Sequence, residues 1–419
     1  MARHTDSEVL VVGAGPVGLV AALFLEQYGV QATIVDEHQR TNQHSSALAI
    51  HSHTLRTLDE AGLSDALIAA GRKLTRVAYY EAGTRRAEID FSRLDTPHPY
   101  LLVVRQSVLE KIVEEALRRK NRKVQWSRRL QSLSVDGGRL QADVATLDQV
   151  SLGYPVASTG WVVARTETVR PSYVIGADGY HSAVRRLAGI EMDERGAGQI
   201  FSIYEVEASG ELPGEVRVTL ERELTSVYWP LEEGRCRWGF QISSASEHEP
   251  SSMARLRDLI ATRTPWCAAQ PTQIYWSTLA SFPSRLARTL GSGTAWLAGD
   301  AAHLAAPVGV QSMNSGLVEA RELASRMAKI QHASGAPSLL DEFGTETHKR
   351  WEWLLDGGLA VRALPGAAPW VQQNGARIFA CLPASGDDVE PLLRQVDLTV
   401  NWKASTRLEE DNPSRHAAR

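Results

Sequence analysis

Gly13-Ala14-Gly15-Pro16-Val17-Gly18 is the first group of residues whose spacing suits a chemical task. In a GxGxxG of this kind Gly13 permits a tight turn, Gly15 lets the backbone approach a pyrophosphate, and Gly18 allows a helix to pack closely on a strand. Pro16 suits a first helical position, where its missing N–H costs nothing. Asp36 ends the next strand, where a carboxylate can accept a hydrogen bond from a ribose hydroxyl, and Glu37 is the neighbouring candidate. These residues read as a site for the ADP half of a dinucleotide, and they do not separate NAD from FAD.

Other constellations carry less chemistry. His38, His44, His51 and His53 crowd one loop, but no Cys or carboxylate completes a zinc-like ligand set, so hydrogen-bonded or solvated histidines are expected and no metal. Cys236, Cys267 and Cys381 are widely spaced and in no metal-ligand pattern, which fits a reducing cytoplasm rather than a disulfide framework. There is no serine nucleophile elbow and no phosphate-binding lysine loop, and no side chain is identified as a catalytic nucleophile, acid or base. Tyr228, Trp229, Trp238 and Phe240 could wall a pocket for a flat ring or form ordinary sheet core, and both readings stay open.

The elements that would position these groups follow from the residue pattern. Residues 8–13 form a short β-branched run suited to a buried strand, Val17 to Tyr28 reads as helix, and residues 31–37 as a second strand. Thr54–Ala70 and Gln106–Lys120 are predicted helices, and residues 124–176 turn to strands with an insertion tip around 149–160. Residues 200–280 are rich in strand signals, with Glu232-Glu233-Gly234 as a hairpin turn. On the strand that follows, Cys236, Trp238, Phe240 and Ile242 share one face and Arg235, Arg237 and Gln241 the other. Residues 295–298 return to a buried strand, and a helix follows with Met313, Leu317, Ala320, Ala324 and Met327 on one side. The remainder carries helical patterns and a polar tail that is expected to be disordered.

Bulk properties narrow the class. A chain of 419 residues has room for two or three sub-domains, and 43% hydrophobic with 22% charged residues is the composition of a soluble globular protein. The formal charge of −4 offers no basic excess for nucleic acid or an anionic membrane. Gly13, Gly15, Pro16 and Gly18 interrupt the apolar run from Val9 to Leu25, which therefore divides into strand, turn and helix rather than spanning a membrane.

Two further segments, YVIGADGYHSAVR at 173–185 and WLAGDAAHLAAPVGVQSMNSG at 296–316, resemble the DG and GD motifs of the single-component (class A) flavoprotein monooxygenases, the para-hydroxybenzoate hydroxylase family. With the glycine turn, the similarity runs from about residue 7 to 345. It implies an α/β protein with a Rossmann-like FAD-binding domain in three pieces, residues 1–75, 100–190 and 285–335. A substrate-binding sheet domain would take residues 76–99 and 191–284, and C-terminal helices 336–419. Carried over by position, Asp300, preceded by Gly299, would bind the ribityl chain, and Asp178 with Gly179 would shape the junction between flavin and nicotinamide, with Arg185 closing the DG motif. Pro307, Gly309, Val310, Met313 and Asn314 would pass beside the isoalloxazine ring. Gln106 would lie against the flavin with Arg105 near the phosphates. Tyr228, Trp238 and Phe240, from their aromatic strands rather than from the resemblance, are with Pro307 the candidates for substrate contact.

The resemblance further implies NADPH or NADH as a transient co-substrate, since only one glycine fingerprint is present. O2 would react through a flavin C4a-hydroperoxide to hydroxylate an aromatic or polyketide-like small molecule, by a monomer or homodimer. The alternatives on the same fold are a non-catalytic flavoprotein, a reductase or a halogenase; Trp351-Glu352-Trp353 is weak support for the last because no Ile-Pro follows it. The chain departs from the family pattern at Ser46, where an arginine is usual, and at Val310 and Ser312, which replace glycines and raise the question of flavin affinity and mobility.

Overall fold

A computed structural model of the chain describes residues 8–40, 48–137, 139–152, 158–232, 234–244, 252–356 and 360–400. Ser46, His44 and the polar tail lie outside them. The first sheet grows from the glycine turn outward. Val9–Val12 is fully buried and pairs in parallel with Ala32–Val35 on one side and Tyr173–Gly176 on the other. Val124–Gln125 and Ala295–Leu297 extend this parallel core, and Gly291–Ser292 closes one edge antiparallel, giving six strands. The Pro16–Gln27 helix is buried along most of its length because its Leu, Val and Ala residues meet the sheet on one side and the Gln311–Gln331 helix on the other.

The second sheet has seven strands, 270–282, 199–209, 235–242, 224–230, 216–221, 76–81 and 84–90 in spatial order. Its register places Glu205 opposite Arg237 and Arg237 opposite Trp229. Side chains alternate, so Phe201, Ile203, Val227, Trp229 and Arg237 face the first sheet, and Tyr204, Val206, Tyr228, Trp238 and Phe240 face away. The away face is covered by the Met253–Arg263 helix through Leu256, Leu259 and Ile260, with Trp266 stacked on Trp238 at 5.5 Å.

Three sequence expectations change here. The stretch 54–70 is two helices, Ser52–Glu60 and Ser64–Ala70, because Gly62 takes φ +68 between them. The strands Arg139–Leu152 and Ser158–Val169 pair antiparallel as far as Leu152 and Ser158, so strand extends into the stretch 149–160 read as an insertion tip, whose residues 153–157 lie outside the described residues. The C-terminal region holds the helices Ser338–Asp356, Pro369–Ala380 and Val389–Arg394, but also a two-stranded ribbon, Val361–Ala363 with Leu398–Val400.

Among the described residues no helix is long and apolar enough to cross a membrane, and no cluster of His, Cys, Asp and Glu could hold a metal ion. Cys236, Cys267 and Cys381 are unpaired.

Candidate active site

One cavity of about 1220 Å³ runs from the glycine turn, across the ends of the parallel strands, to the inner face of the seven-stranded sheet. At the first end Gly13 has φ +101, and a Cβ there would collide with the Ala177 carbonyl. A Cβ on Gly18 would collide with the Gly13 carbonyl, whereas one on Gly15 would meet nothing within 4 Å. Gly13 and Gly18 are therefore glycine for packing, and Gly15 keeps open the space in front of the helix. No side chain caps the Pro16–Gln27 helix, so its first N–H groups remain available to an anion.

Asp36 Oδ2 accepts from Ala14 N at 2.7 Å and Oδ1 from His38 N at 2.8 Å, so this carboxylate also holds the glycine turn in shape. Glu37 and Gln106 line the same stretch, and the Gln106 amide donates to Glu110 Oε1 at 2.9 Å.

At mid-cavity stand Asp178, Gly179 and Asp300. Asp178 accepts from Ser182 Oγ at 2.5 Å, Ala183 N at 2.6 Å and Val184 N at 3.1 Å, the pattern of a helix cap, and burial raises its carboxyl above the usual range. Asp300 is different. Its side chain opens to the cavity and has no hydrogen-bond partner among the described residues, and enclosure by the surrounding protein raises its carboxyl.

The turn that carries Asp300 is held from behind by Glu319, whose Oε2 accepts from Gly299 N at 3.2 Å and faces His303 Nε2 at 2.7 Å. Trp351 Nε1 donates to Glu319 Oε1 at 2.6 Å, and the Trp351 and His303 rings stack at 3.6 Å. Burial opposes ionisation of Glu319, but His303 and Trp351 more than offset it and hold the carboxyl below its ordinary range.

The loop from Leu304 to Met313 forms the cavity wall beside Asp300, ending at the uncapped N-terminus of the Gln311–Gln331 helix. Val310 sits there in the left-handed region, φ 51 and ψ 35, a strained conformation for a β-branched residue. Ser312 does not block the space; its Oγ accepts from Ala305 N at 3.1 Å and ties the two ends of the loop together. Gly309 and Asn314 lie behind the wall. A Cβ on Gly309 would stand 3.0 Å from the Ala380 carbonyl, and Asn314 Oδ1 accepts from His51 N at 2.8 Å. His51 Nε2 contacts Gly309 O at 3.0 Å and its Nδ1 contacts Ser385 Oγ at 3.1 Å; burial lowers this histidine to about 3, so it is neutral. His51 and His53 are thus hydrogen-bonded, the latter to Arg56 at 2.9 Å.

The far end is an apolar chamber walled by Phe201, Ile203, Val227, Trp229 and Phe282, with Gly239 and Arg237 among them. Arg237 NH2 donates to Glu205 Oε2 at 3.0 Å, and Arg105 pairs with the other Glu205 oxygen. Burial works against an ionised Glu205, yet the two guanidiniums bring its carboxyl below the ordinary range. Tyr228, Trp238 and Phe240 do not reach this chamber. They lie on the opposite face under the Met253–Arg263 helix, because strand alternation that puts Arg237 and Gly239 inward puts these rings outward. Pro307 does line the cavity. Arg105 turns to Glu205 rather than to the glycine turn, and Arg185 donates to the Ala301 and Tyr180 carbonyls, both at 2.9 Å. Sequence reasoning missed Arg237, Glu205 and Glu110. A glycine and an arginine sharing the inward face of a central strand were the available signal for the first.

The residues present fit FAD. Gly15 leaves room for a diphosphate at a helix N-terminus, and Asp300 offers an unpartnered acceptor where a polyol chain would run. Fold and site together define a flavoprotein of the para-hydroxybenzoate hydroxylase type. A family model described as "FAD binding domain" matches residues 6–357, and the chain belongs to that family, with FAD as its cofactor.

Among curated proteins the chain is 26% identical over 351 residues to 6-methylpretetramide 4-monooxygenase of Streptomyces rimosus, covering 81% of this chain and 58% of that one. It is 26% identical over 387 residues to pentachlorophenol 4-monooxygenase of Sphingobium chlorophenolicum, covering 86% and 65%. The chain thus spans less than two thirds of the length of either relative. The crystal structure of p-nitrophenol 4-monooxygenase from Pseudomonas putida shares the fold with TM-score 0.73 at 22% identity, covering 97% of this chain and 98% of that one.

Proposed function

We propose that the protein is an FAD-dependent monooxygenase that consumes NADPH or NADH and O2 to hydroxylate an aromatic or polyketide-like small molecule. The observation that carries this reading is the single cavity that joins an ADP-type glycine turn to an apolar chamber of ring-sized walls. The relatives named for a pretetramide and a chlorophenol lend it support. Bound FAD supplies the redox and oxygen-activating chemistry.

In this reading the chain's own residues bind, orient and exclude water. Gly13, Gly15 and Pro16 receive the diphosphate at the helix N-terminus, and Asp36 with Glu37 the adenosine ribose. Asp300 accepts from the ribityl hydroxyls, and the loop from Pro307 to Met313 lies along the ring. The N-terminus of the Gln311–Gln331 helix favours negative charge on the N1 and O2 side of that ring. Phe201, Ile203, Val227, Trp229 and Phe282 keep the chamber dry, which protects reactive oxygen from water. Among the described residues Arg237 is the one charged residue of the chamber wall, placed to donate a hydrogen bond to a carbonyl or phenol oxygen of substrate. The pieces 1–75, 100–190 and 285–335 form the cofactor domain, 76–99 and 191–284 the substrate domain, and the rest a C-terminal support. Three unpaired cysteines suit a cytoplasmic enzyme.

The test is to purify the full chain with FAD, record its flavin absorbance, and add NADPH or NADH anaerobically. Bleaching of the bound flavin is expected, faster when a phenolic substrate is present. Bound flavin that neither nicotinamide reduces would overturn the reading.

A further inference from the structure

Glu110 is a buried cavity residue to which the reading above gives no task. It follows Gln106 by one helical turn, is 3% exposed, and lines the cavity beside Gly13–Val17 and Asp36. One of its oxygens takes the Gln106 amide, and the other has no protein partner among the described residues.

The charged groups around it come from three elements. Asp36, Glu37, His38 and Arg40 follow the 32–35 strand, Arg128 and Arg129 belong to the 128–136 strand, and Glu114 stands one turn along its own helix. The cations are engaged elsewhere or lie at the rim: His38 Nδ1 is 2.8 Å from Asp36, Arg128 bonds Glu167 at 2.5 Å, and Arg129 is exposed. Burial raises the Glu110 carboxyl most, the Gln106 amide pulls it back, and Asp36 and Glu114 raise it further, to about 7. The diphosphate of FAD adds two negative charges to the same space. An ionised Glu110 would be one more acceptor-only anion among acceptors, whereas a carboxylic acid supplies a donor.

We propose that Glu110 is a cofactor-binding residue that works protonated, donating its O–H to an oxygen of the FAD diphosphate or the adjoining ribose. The proposal rests on the FAD reading and adds to it a proton that enters with the cofactor. Above pH 7 the free protein has lost this proton, so binding takes one up from solvent. FAD affinity is then level below about pH 7 and falls by up to about tenfold per pH unit above it, until the carboxyl of the complex itself ionises.

Calorimetric titration of FAD into the full-length apoprotein at pH 8, in two buffers of different ionisation enthalpy, measures the proton directly. Close to one proton taken up per FAD is expected for the unaltered protein. None is expected for Glu110→Gln, which also binds as tightly at pH 8 as at pH 6. Binding without proton uptake, or equal uptake in Glu110→Gln, overturns the proposal while leaving the FAD reading intact. Absence of FAD binding by the unaltered protein overturns both. Difference infrared spectroscopy of the unaltered protein tests the same point without the variant: a protonated-carboxyl band that appears on FAD addition at pH 8 supports it, and a spectrum without one overturns it.

Discussion

Asp300 meets the cavity with no protein donor on either oxygen among the described residues, so its carboxylate is an acceptor free for hydroxyl groups. A hydrogen bond to a charged acceptor contributes about 1.5–3 kcal/mol, so Asp300→Ala should weaken FAD binding on the order of 10- to 100-fold, read by flavin retention on gel filtration. Unchanged flavin content would remove Asp300 from the site. Val310 sets two effects against each other. Replacing it by glycine relieves a left-handed conformation that costs about 1–2 kcal/mol. The same change exposes the loss of a buried valine, about 1.5–3 kcal/mol, and adds about 0.4–1 kcal/mol of unfolded-chain entropy. Burial wins, and Val310→Gly should be less stable by about 1–2 kcal/mol in denaturant unfolding; a more stable variant would mean that the strain dominates. Glu110 makes a stability statement of its own. Its carboxyl is raised to about 7 in the folded apoprotein, so the fold binds more protons than the unfolded chain between its ordinary value and 7. Apoprotein stability therefore declines as pH rises through that window. Glu110→Gln should lose this decline, and its melting temperature should exceed that of the parent at pH 8 but not at pH 5.

Elements show where sequence alone suffices. The strand, turn and helix at residues 9–27 are local, and Gly13, Gly15 and Gly18 each have a reason readable from their neighbours. Those reasons differ in outcome. Gly15→Val should leave melting behaviour nearly unchanged and abolish FAD binding, because its side chain enters only the cavity. Gly18→Val should fail in thermal unfolding itself, because its Cβ collides with backbone; a well-folded Gly18→Val would contradict the packing described. The seven-stranded sheet was less legible. Its alternation was readable, yet both faces carry large apolar side chains, and which one meets the cavity depends on the Met253–Arg263 helix covering Tyr228, Trp238 and Phe240. The pairing of Arg105, Glu205 and Arg237 joins residues 100 and 32 positions apart, and no local pattern reports it.

At the scale of the molecule, the C-terminal segment buttresses the cavity-wall loop from Leu304 to Met313. Gln311 Nε2 donates to the Leu382 and Ala384 carbonyls at 3.0 and 2.6 Å, and Tyr79 OH bonds Ile378 O at 3.3 Å. Helical periodicity could not foresee this, since His51, Gly309 and Ser385 meet only in the folded chain. Ending the chain after Asp356 should release the loop and uncover Trp353, which packs on Phe379, and Tyr79, giving an aggregation-prone protein that retains little FAD; a soluble, flavin-replete truncation would deny the segment this role. In the proposed function, the cavity that joins the glycine turn to the ring-sized chamber serves the insertion of an oxygen atom. The most direct measurement supplies the FAD-loaded protein with NADPH or NADH, a panel of phenols and polyketide-like aromatics, and isotopically labelled O2, and follows the products by mass. One labelled oxygen atom in the hydroxylated product, with water as the fate of the other, is the expected result. Nicotinamide oxidation that yields only hydrogen peroxide with every aromatic, or a product oxygen drawn from water, would contradict it.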